Sequence, residues 1–183
     1  MVRLALALAL ASAACGTTTD DRPRTIQYVT EAVLSPNCGD AQCHSTFRQA
    51  KGEVFDTVEG TRQSLVHGLI SFDFPIPQAG QPPGYDPEHP ENAQLIEWIT
   101  QTDPLGLGIG RMPYDHPIPN EDVTFLEEYI REGAPGAQCD PAGGATGNGH
   151  VCNKLEVHQC NSDWTFGDLI ETCAMGCING TCQ

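Results

Sequence analysis

The hydrophobic positions of the chain fall into short helical stripes separated by long gaps rich in proline and glycine. Between Thr25 and Leu34, Ile26, Val29, Val33 and Leu34 repeat at helical spacing before Ser35-Pro36-Asn37 interrupts the pattern. The spacing predicts a helix that ends at the first of two neighbouring cysteines. A second short helix is expected over Glu59 to Ile70, with Leu65, Val66 and Leu69 inward. From Ser71 to Pro90 come six prolines and two glycines, an extended loop. A third helix is expected over Glu91 to Gln101, burying Leu95, Ile96, Trp98 and Ile99. The glycine-dense run Asp103 to Pro113 then places Met112 on a loop. The clearest stripe is Val123, Leu126, Tyr129 and Ile130, with Asn120 as the expected cap, Glu121 and Asp122 at the positive end, and Gly133 and Pro135 as the stop.

Beyond Pro135 the pattern changes. Leu155-Glu156-Val157-His158-Gln159 alternates like a strand, and Asn179-Gly180 is a hairpin signal. The expected fold class is therefore mostly α: a small loop-rich helical domain over 25–135, then a small β-rich module over 136–183. The boundary falls in the run Gly133 to Ala137.

Composition sharpens this picture. The 183 residues include 9 Lys+Arg against 24 Asp+Glu, a formal charge of −15. Nucleic-acid binding rests on cations that neutralise phosphates, and no basic run exists to supply them. A surface this acidic favours solubility and attraction to a partner with a basic docking face. The acids from Glu127 to Glu132 read as a solvated helix face. Neither a Gly-x-Ser-x-Gly elbow, a phosphate-binding glycine loop nor a His-Glu-x-x-His zinc motif is present.

Residues 1–14 carry one cation, Arg3, an apolar run from Leu4 to Ala11, and the small residues Ser12-Ala13-Ala14. This is the anatomy of an export signal, and the run is too short to span a bilayer. The next residue is Cys15, followed by a polar linker to residue 24. The arrangement resembles a bacterial lipoprotein signal, which implies lipidation at Cys15 and attachment to a membrane. The resemblance departs at Ser12, where that pattern prefers Leu. An ordinary secretory signal that leaves Cys15 as a spare thiol is the other reading. Either way the chain is exported, and removing residues 1–14 takes one cation and no acid with it.

Eight cysteines remain. Cys139, Cys152, Cys160, Cys173, Cys177 and Cys182 crowd the last 45 residues and read as three disulfides of unassigned pairing. The other two stand in Cys38-Gly39-Asp40-Ala41-Gln42-Cys43-His44. A cysteine pair with histidine directly after it is the pattern of covalent haem attachment. Here four residues separate the cysteines rather than two, so the extra residues must bulge, and Gly39 and Asp40 suit a bulge. The same pair could instead close a disulfide loop with His44 in solvent, or, with ligands from elsewhere, contribute to a zinc site.

With its leading helix, cysteine pair, Met112-Pro113 loop and final helix ending in Gly133-Ala134, the region from Thr25 to Pro135 resembles a c-type cytochrome domain of bacterial envelope lipoproteins. The resemblance implies haem c as cofactor, Cys38 and Cys43 as its thioether anchors, His44 as proximal iron ligand and Met112 as distal ligand. His67 is the best substitute for Met112, ahead of His89 and His116 in their proline-rich loops. It implies an electron carrier facing the periplasm or cell surface of a Gram-negative bacterium, more than an enzyme with its own substrate. An open sixth position, as in a haem peroxidase, is a weaker version. The competing reading is a non-catalytic surface lipoprotein, its eight cysteines all in disulfides, acting in binding or envelope structure.

The ending Gly176-Cys177-Ile178-Asn179-Gly180-Thr181-Cys182 resembles short cysteine-rich repeats of secreted bacterial proteins. Trp164 and Phe166 could form a binding face there, although core positions are the commoner use of aromatics in small knots. His150 and His158 read as surface residues.

Overall fold

The computed structural model describes residues 20–70, 89–102 and 110–183. The leader, Cys15 and most of the proline-rich stretch from Ser71 to Pro90 lie outside the described residues, as do residues 103–109. Among the described residues no helix is long and apolar enough to cross a membrane.

Thr25 caps the first helical turn by accepting a hydrogen bond from the Tyr28 N–H. Helix α1 (Ile26–Tyr28) passes into a π-helical stretch, Val29–Leu34, and then α2 (Ser35–Cys38). The helix thus runs through Ser35-Pro36-Asn37 and ends at Cys38, the first of the two cysteines, as the spacing predicts. The reason is visible in the ladder: the Ser35 N–H bonds to Thr30 O, one residue further back than an α-helix requires. The widened turn sits where proline's ring would otherwise meet the preceding carbonyls. Helix α3 (Val58–Ser64), capped by Thr57, continues as a second π-helical stretch, Leu65–Leu69. Helices α4 (Gln94–Thr100) and α5 (Asn120–Arg131) complete the unit. The expected cap on α5 is corrected: Asn120 is the first helical residue, Pro119 holds the cap position, and no side chain caps the end.

The core gathers the predicted stripes. Ile26, Val29, Val33, Leu34, Leu65, Leu95, Ile96, Ile99, Leu126, Tyr129 and Ile130 are all buried together. Trp98, Val66 and Val123 are only half-buried. Phe125, outside the predicted stripe, is fully buried, with the Arg22 guanidinium 4.4 Å above its ring. Arg22 pairs with Asp122 at 2.5 Å and Arg24 pairs with Glu128, so the segment before α1 is strapped across α5.

The rest is β. Strands β1 (His150–Asn153), β2 (Glu156–Cys160) and β3 (Phe166–Thr172) form one antiparallel sheet in that order, and β4 (Cys177–Ile178) pairs with β5 (Thr181–Cys182). The expectation of a mostly α chain is therefore corrected to mixed α and β. Glycine, proline and widened turns keep the helices short, while the half-cystines hold the C-terminal residues in paired strands. Disulfides join Cys139 to Cys160, Cys152 to Cys177 and Cys173 to Cys182. These three bridges indicate an oxidising environment and hence export. The Asn179-Gly180 turn has both residues at positive φ, as the sequence signal requires. Gly180 is needed twice over, because a Cβ there would lie 1.9 Å from His150 O. Trp164 is buried, and Phe166 packs on the cluster of Cys139, Val151 and Cys160, so both serve the core.

Gln138 joins the two units. Its main-chain N–H donates to Trp164 O at 2.9 Å, its side-chain oxygen accepts from the Phe166 N–H at 2.9 Å, and its Nε2 donates to Gly133 O at 2.7 Å.

Candidate functional site

The end of α2 delivers Cys38 into the core, where its side chain is buried. Gly39 follows because nothing larger fits: a Cβ would lie 2.9 Å from Ser35 O and 3.1 Å from Asp56 N. The chain then turns on Asp40, whose carboxylate accepts from the Gln42 N–H at 2.6 Å and whose carbonyl accepts from the Cys43 N–H at 2.9 Å. The bulge expected between the cysteines is this turn. It brings His44 back beneath the helix end, so that the His44 N–H reaches Cys38 O at 3.1 Å. Cys38, Cys43 and His44 thus share one closed turn.

The segment beyond is pinned in place. Phe55 N–H donates to His44 O at 2.6 Å, and Ala50 N–H to Cys43 O at 3.1 Å. The Asp56 carboxylate accepts from both the N–H and the hydroxyl of Thr46 at 2.9–3.0 Å. Ser45, buried, accepts from the Arg48 N–H. These holding residues were not singled out from sequence. The hydroxyl pair Ser45-Thr46 directly after His44 was the available signal, since such side chains tie nearby main chain in turns.

Cys38 and Cys43 are both free thiols. Burial pushes the Cys38 thiol up to about 12, with the neighbouring Cys43 adding to the rise. Cys43 is exposed. The half-buried His44 ring stacks obliquely on Phe55, centroids 5.4 Å apart. Its Nδ1 is sealed from solvent without a hydrogen-bond partner. Burial holds its proton affinity below the ordinary histidine value, while main-chain carbonyls of Ala50 and Glu53 pull the other way. At neutral pH the imidazole is therefore uncharged and able to donate a lone pair.

Met112 is carried on a separate loop and is half-buried, its N–H donating to Trp98 O on α4 at 2.8 Å. The Trp98 indole N–H is buried without a partner. The substitutes for Met112 are all engaged by carboxylates. His67 Nε2 lies 3.0 Å from Asp140, His89 Nδ1 lies 3.1 Å from Glu91, and His116 Nδ1 lies 3.1 Å from Asp115, with all three rings exposed. His158, read from sequence as a surface residue, is instead half-buried: it pairs with Glu156 at 2.9 Å and lies against Phe166. Glu156 on its own strand and Phe166 and Gly167 on β3 meet its ring, which an isolated sequence position does not reveal. His150 is half-buried at the start of β1.

No protein-family model matches the chain, and no curated protein or solved structure matches it either.

Proposed function

We propose that the helical unit is a mono-haem c-type electron-transfer domain in an exported, envelope-anchored lipoprotein. One observation carries the reading. Every cysteine of the 139–182 module is bridged, yet Cys38 and Cys43 stay as thiols on the turn that holds His44. Two unbridged thiols beside an uncharged imidazole with an uncommitted nitrogen are a donor set suited to covalent haem, so the residues present fit that group.

In this reading Cys38 and Cys43 would anchor haem c through thioethers, and His44 and Met112 would supply a nitrogen and a sulfur ligand to its iron. Haem iron held by His and Met supplies reversible one-electron chemistry at a raised potential. The chain's own part is to fix the ligands and exclude water. The turn on Asp40 sets the cysteine separation, the Phe55 ring and main chain orient His44, and α4 holds Met112 through Trp98 O. The partner is a redox protein, and the role is that of a carrier rather than an enzyme with its own substrate. A lipid on Cys15 attaches the chain to a membrane of a Gram-negative envelope, facing the periplasm or cell surface. Loss of radiolabelled lipid incorporation in Cys15→Ser tests that attachment.

The test of the cofactor is expression and export in a host that attaches haem to c-type cytochromes, followed by an absorption spectrum and a haem stain of a denaturing gel. A sharp reduced α band and a stain that survives denaturation are expected. Met112→Ala should then abolish the methionine–iron charge-transfer band. No stain, with Cys38 and Cys43 both refusing alkylation after denaturation, would mean a disulfide there and would replace the carrier by a binding or structural lipoprotein.

A further inference from the structure

Among the described residues the most open large hydrophobic side chain is Phe47, 87% accessible. A single exposed apolar residue is ordinary on a protein surface. The setting of this one is not. It stands in the loop 46–52, just beyond His44, and Thr46, Arg48, Gln49, Lys51 and Gly52 around it are exposed as well.

The loop is tied down along its main chain. Asp56 holds the Thr46 N–H and hydroxyl, the Arg48 N–H donates to Ser45 Oγ at 3.3 Å, and the Gln49 N–H donates to Ser45 O at 2.8 Å. The Ala50 N–H reaches Cys43 O, the Gly52 N–H reaches Gln49 O, and the Glu53 N–H reaches Ala50 O. Gln49 and Lys51 stand at φ 49° and 61°, a region that residues other than glycine occupy only where their surroundings fix the backbone. Phe47 is therefore presented on a preformed main chain, and a partner seated on it orders little on this side.

Charge sets the loop apart from the rest of the molecule. The chain has 24 Asp+Glu against 9 Lys+Arg, yet residues 46–52 hold two cations, Arg48 and Lys51, and no acid. Arg22, Arg24 and Arg62 each pair with a carboxylate, whereas Arg48 and Lys51 have no ion-pair partner among the described residues. The acids flanking the loop in sequence are otherwise engaged. Asp40 accepts from the Gln42 N–H, Asp56 clamps Thr46, and Glu53 is half-buried.

An open aromatic ring beside a free arginine is the composition found at the centres of interfaces. The ring calls for an apolar hollow, and the guanidinium and ammonium call for carboxylates at its border. A second copy of this chain is acid-rich over the whole molecule, so two copies repel. An anionic membrane presents a plane. The bond from Ala50 to Cys43 O sets the loop against the turn that carries exposed Asp40, so a plane meets acid as well as cation. A concave protein surface can take the loop alone.

We infer that the loop 46–52 is a docking site for a partner protein whose contact face is an apolar hollow bordered by carboxylates. This sign is opposite to the one that the charge of the whole chain selects, and the inference does not depend on haem.

The test uses the mature chain with its three bridges intact and two short fluorescent peptides, one alternating Glu with Leu and the other Lys with Leu. Anisotropy is titrated at about 150 mM salt, where long-range attraction is screened. Saturable binding of the Glu-Leu peptide is expected, although net charge alone selects the Lys-Leu one. Phe47→Ser should weaken it at least about tenfold, the scale of one buried ring. Arg48→Glu combined with Lys51→Glu should do the same by turning two attractions into repulsions, while Phe47→Trp should preserve binding. The three positions are exposed, and thiol counting confirms that each variant keeps its bridges. Four results would overturn the inference: no saturation by the Glu-Leu peptide up to millimolar concentration, an affinity unmoved by these substitutions, a dimer in sedimentation that Phe47→Ser dissolves, or co-sedimentation with phosphatidylglycerol vesicles that Phe47→Ser abolishes. The last two would hand the loop to a second copy or to a membrane.

Discussion

Replacing Gly39 by Ala tests how the cysteine turn is held. Two effects oppose one another. Alanine narrows the unfolded ensemble, a gain of about 0.4–1 kcal/mol where its backbone angles are allowed, and φ at Gly39 is −79°, which alanine adopts freely. Against this, the new methyl would sit 2.9 Å from Ser35 O, 3.0 Å from Ser35 Cα and 3.1 Å from Asp56 N. All three are main-chain atoms, so no side chain can swing aside, and overpacking of this kind costs about 1–3 kcal/mol. The clash wins, leaving a net loss of about 1–2 kcal/mol. In urea, with a slope of about 1–3 kcal/mol per molar, the unfolding midpoint should fall by about 0.5–1 M at unchanged slope. The relief available is to part α2 from the Asp56 segment, which loosens the Thr46–Asp56 clamp. Cys43 should therefore alkylate faster in the native variant. An unchanged or raised midpoint would refute the close approach, and with it the account of why this turn begins with glycine.

Three further expectations follow from the same structure. The disulfides should be graded by the loops they close: removing Cys152–Cys177, separation 25, should cost about 3.5 kcal/mol and Cys173–Cys182, separation 9, about 2.6 kcal/mol, measured by chemical denaturation of the double Ala variants. Burial raises the carboxyl of Glu53 above its ordinary value, against the pull of Ser64 and His67. The folded state thus binds this proton more tightly than the unfolded state, and its contribution to stability is lost as pH rises through the folded value. Glu53→Gln should therefore raise the thermal midpoint at pH 7 and match the parent below about pH 4, where the group is protonated in both states; equal midpoints at both pH values would count against it. Gln138→Ala leaves the Phe166 N–H and Gly133 O without their partner and should cost about 1–2 kcal/mol, with hydrogen exchange speeding first at Phe166.

Much of the helical unit was legible because its stripes are periodic and its core is one-sided. Ile26, Val29, Val33 and Leu34 sit inward as their spacing requires. So does the set Leu126, Tyr129 and Ile130. The hairpin at Asn179-Gly180 was equally plain, because positive φ at two adjacent positions leaves few residue choices. The strand β3 escaped notice. Phe166-Gly167-Asp168-Leu169-Ile170-Glu171-Thr172 neither alternates nor buries a face, and it is a strand because β2 pairs with it and disulfides hold its ends.

The sequence by itself determined which residues could do chemistry: a cysteine pair abutting a histidine, six half-cystines in a separate run, and an acid excess of 24 Asp+Glu over 9 Lys+Arg. Local order of this kind is set by neighbours along the chain. Only the tertiary structure decided which sulfurs meet, because pairing among six depends on how strands cross and not on spacing. It also decided that Pro36 is absorbed by a widened helical turn, that Asp56 clamps the loop after His44, and that His67 is engaged by Asp140. Each of these joins positions through packing or hydrogen bonding that one-dimensional periodicity does not encode.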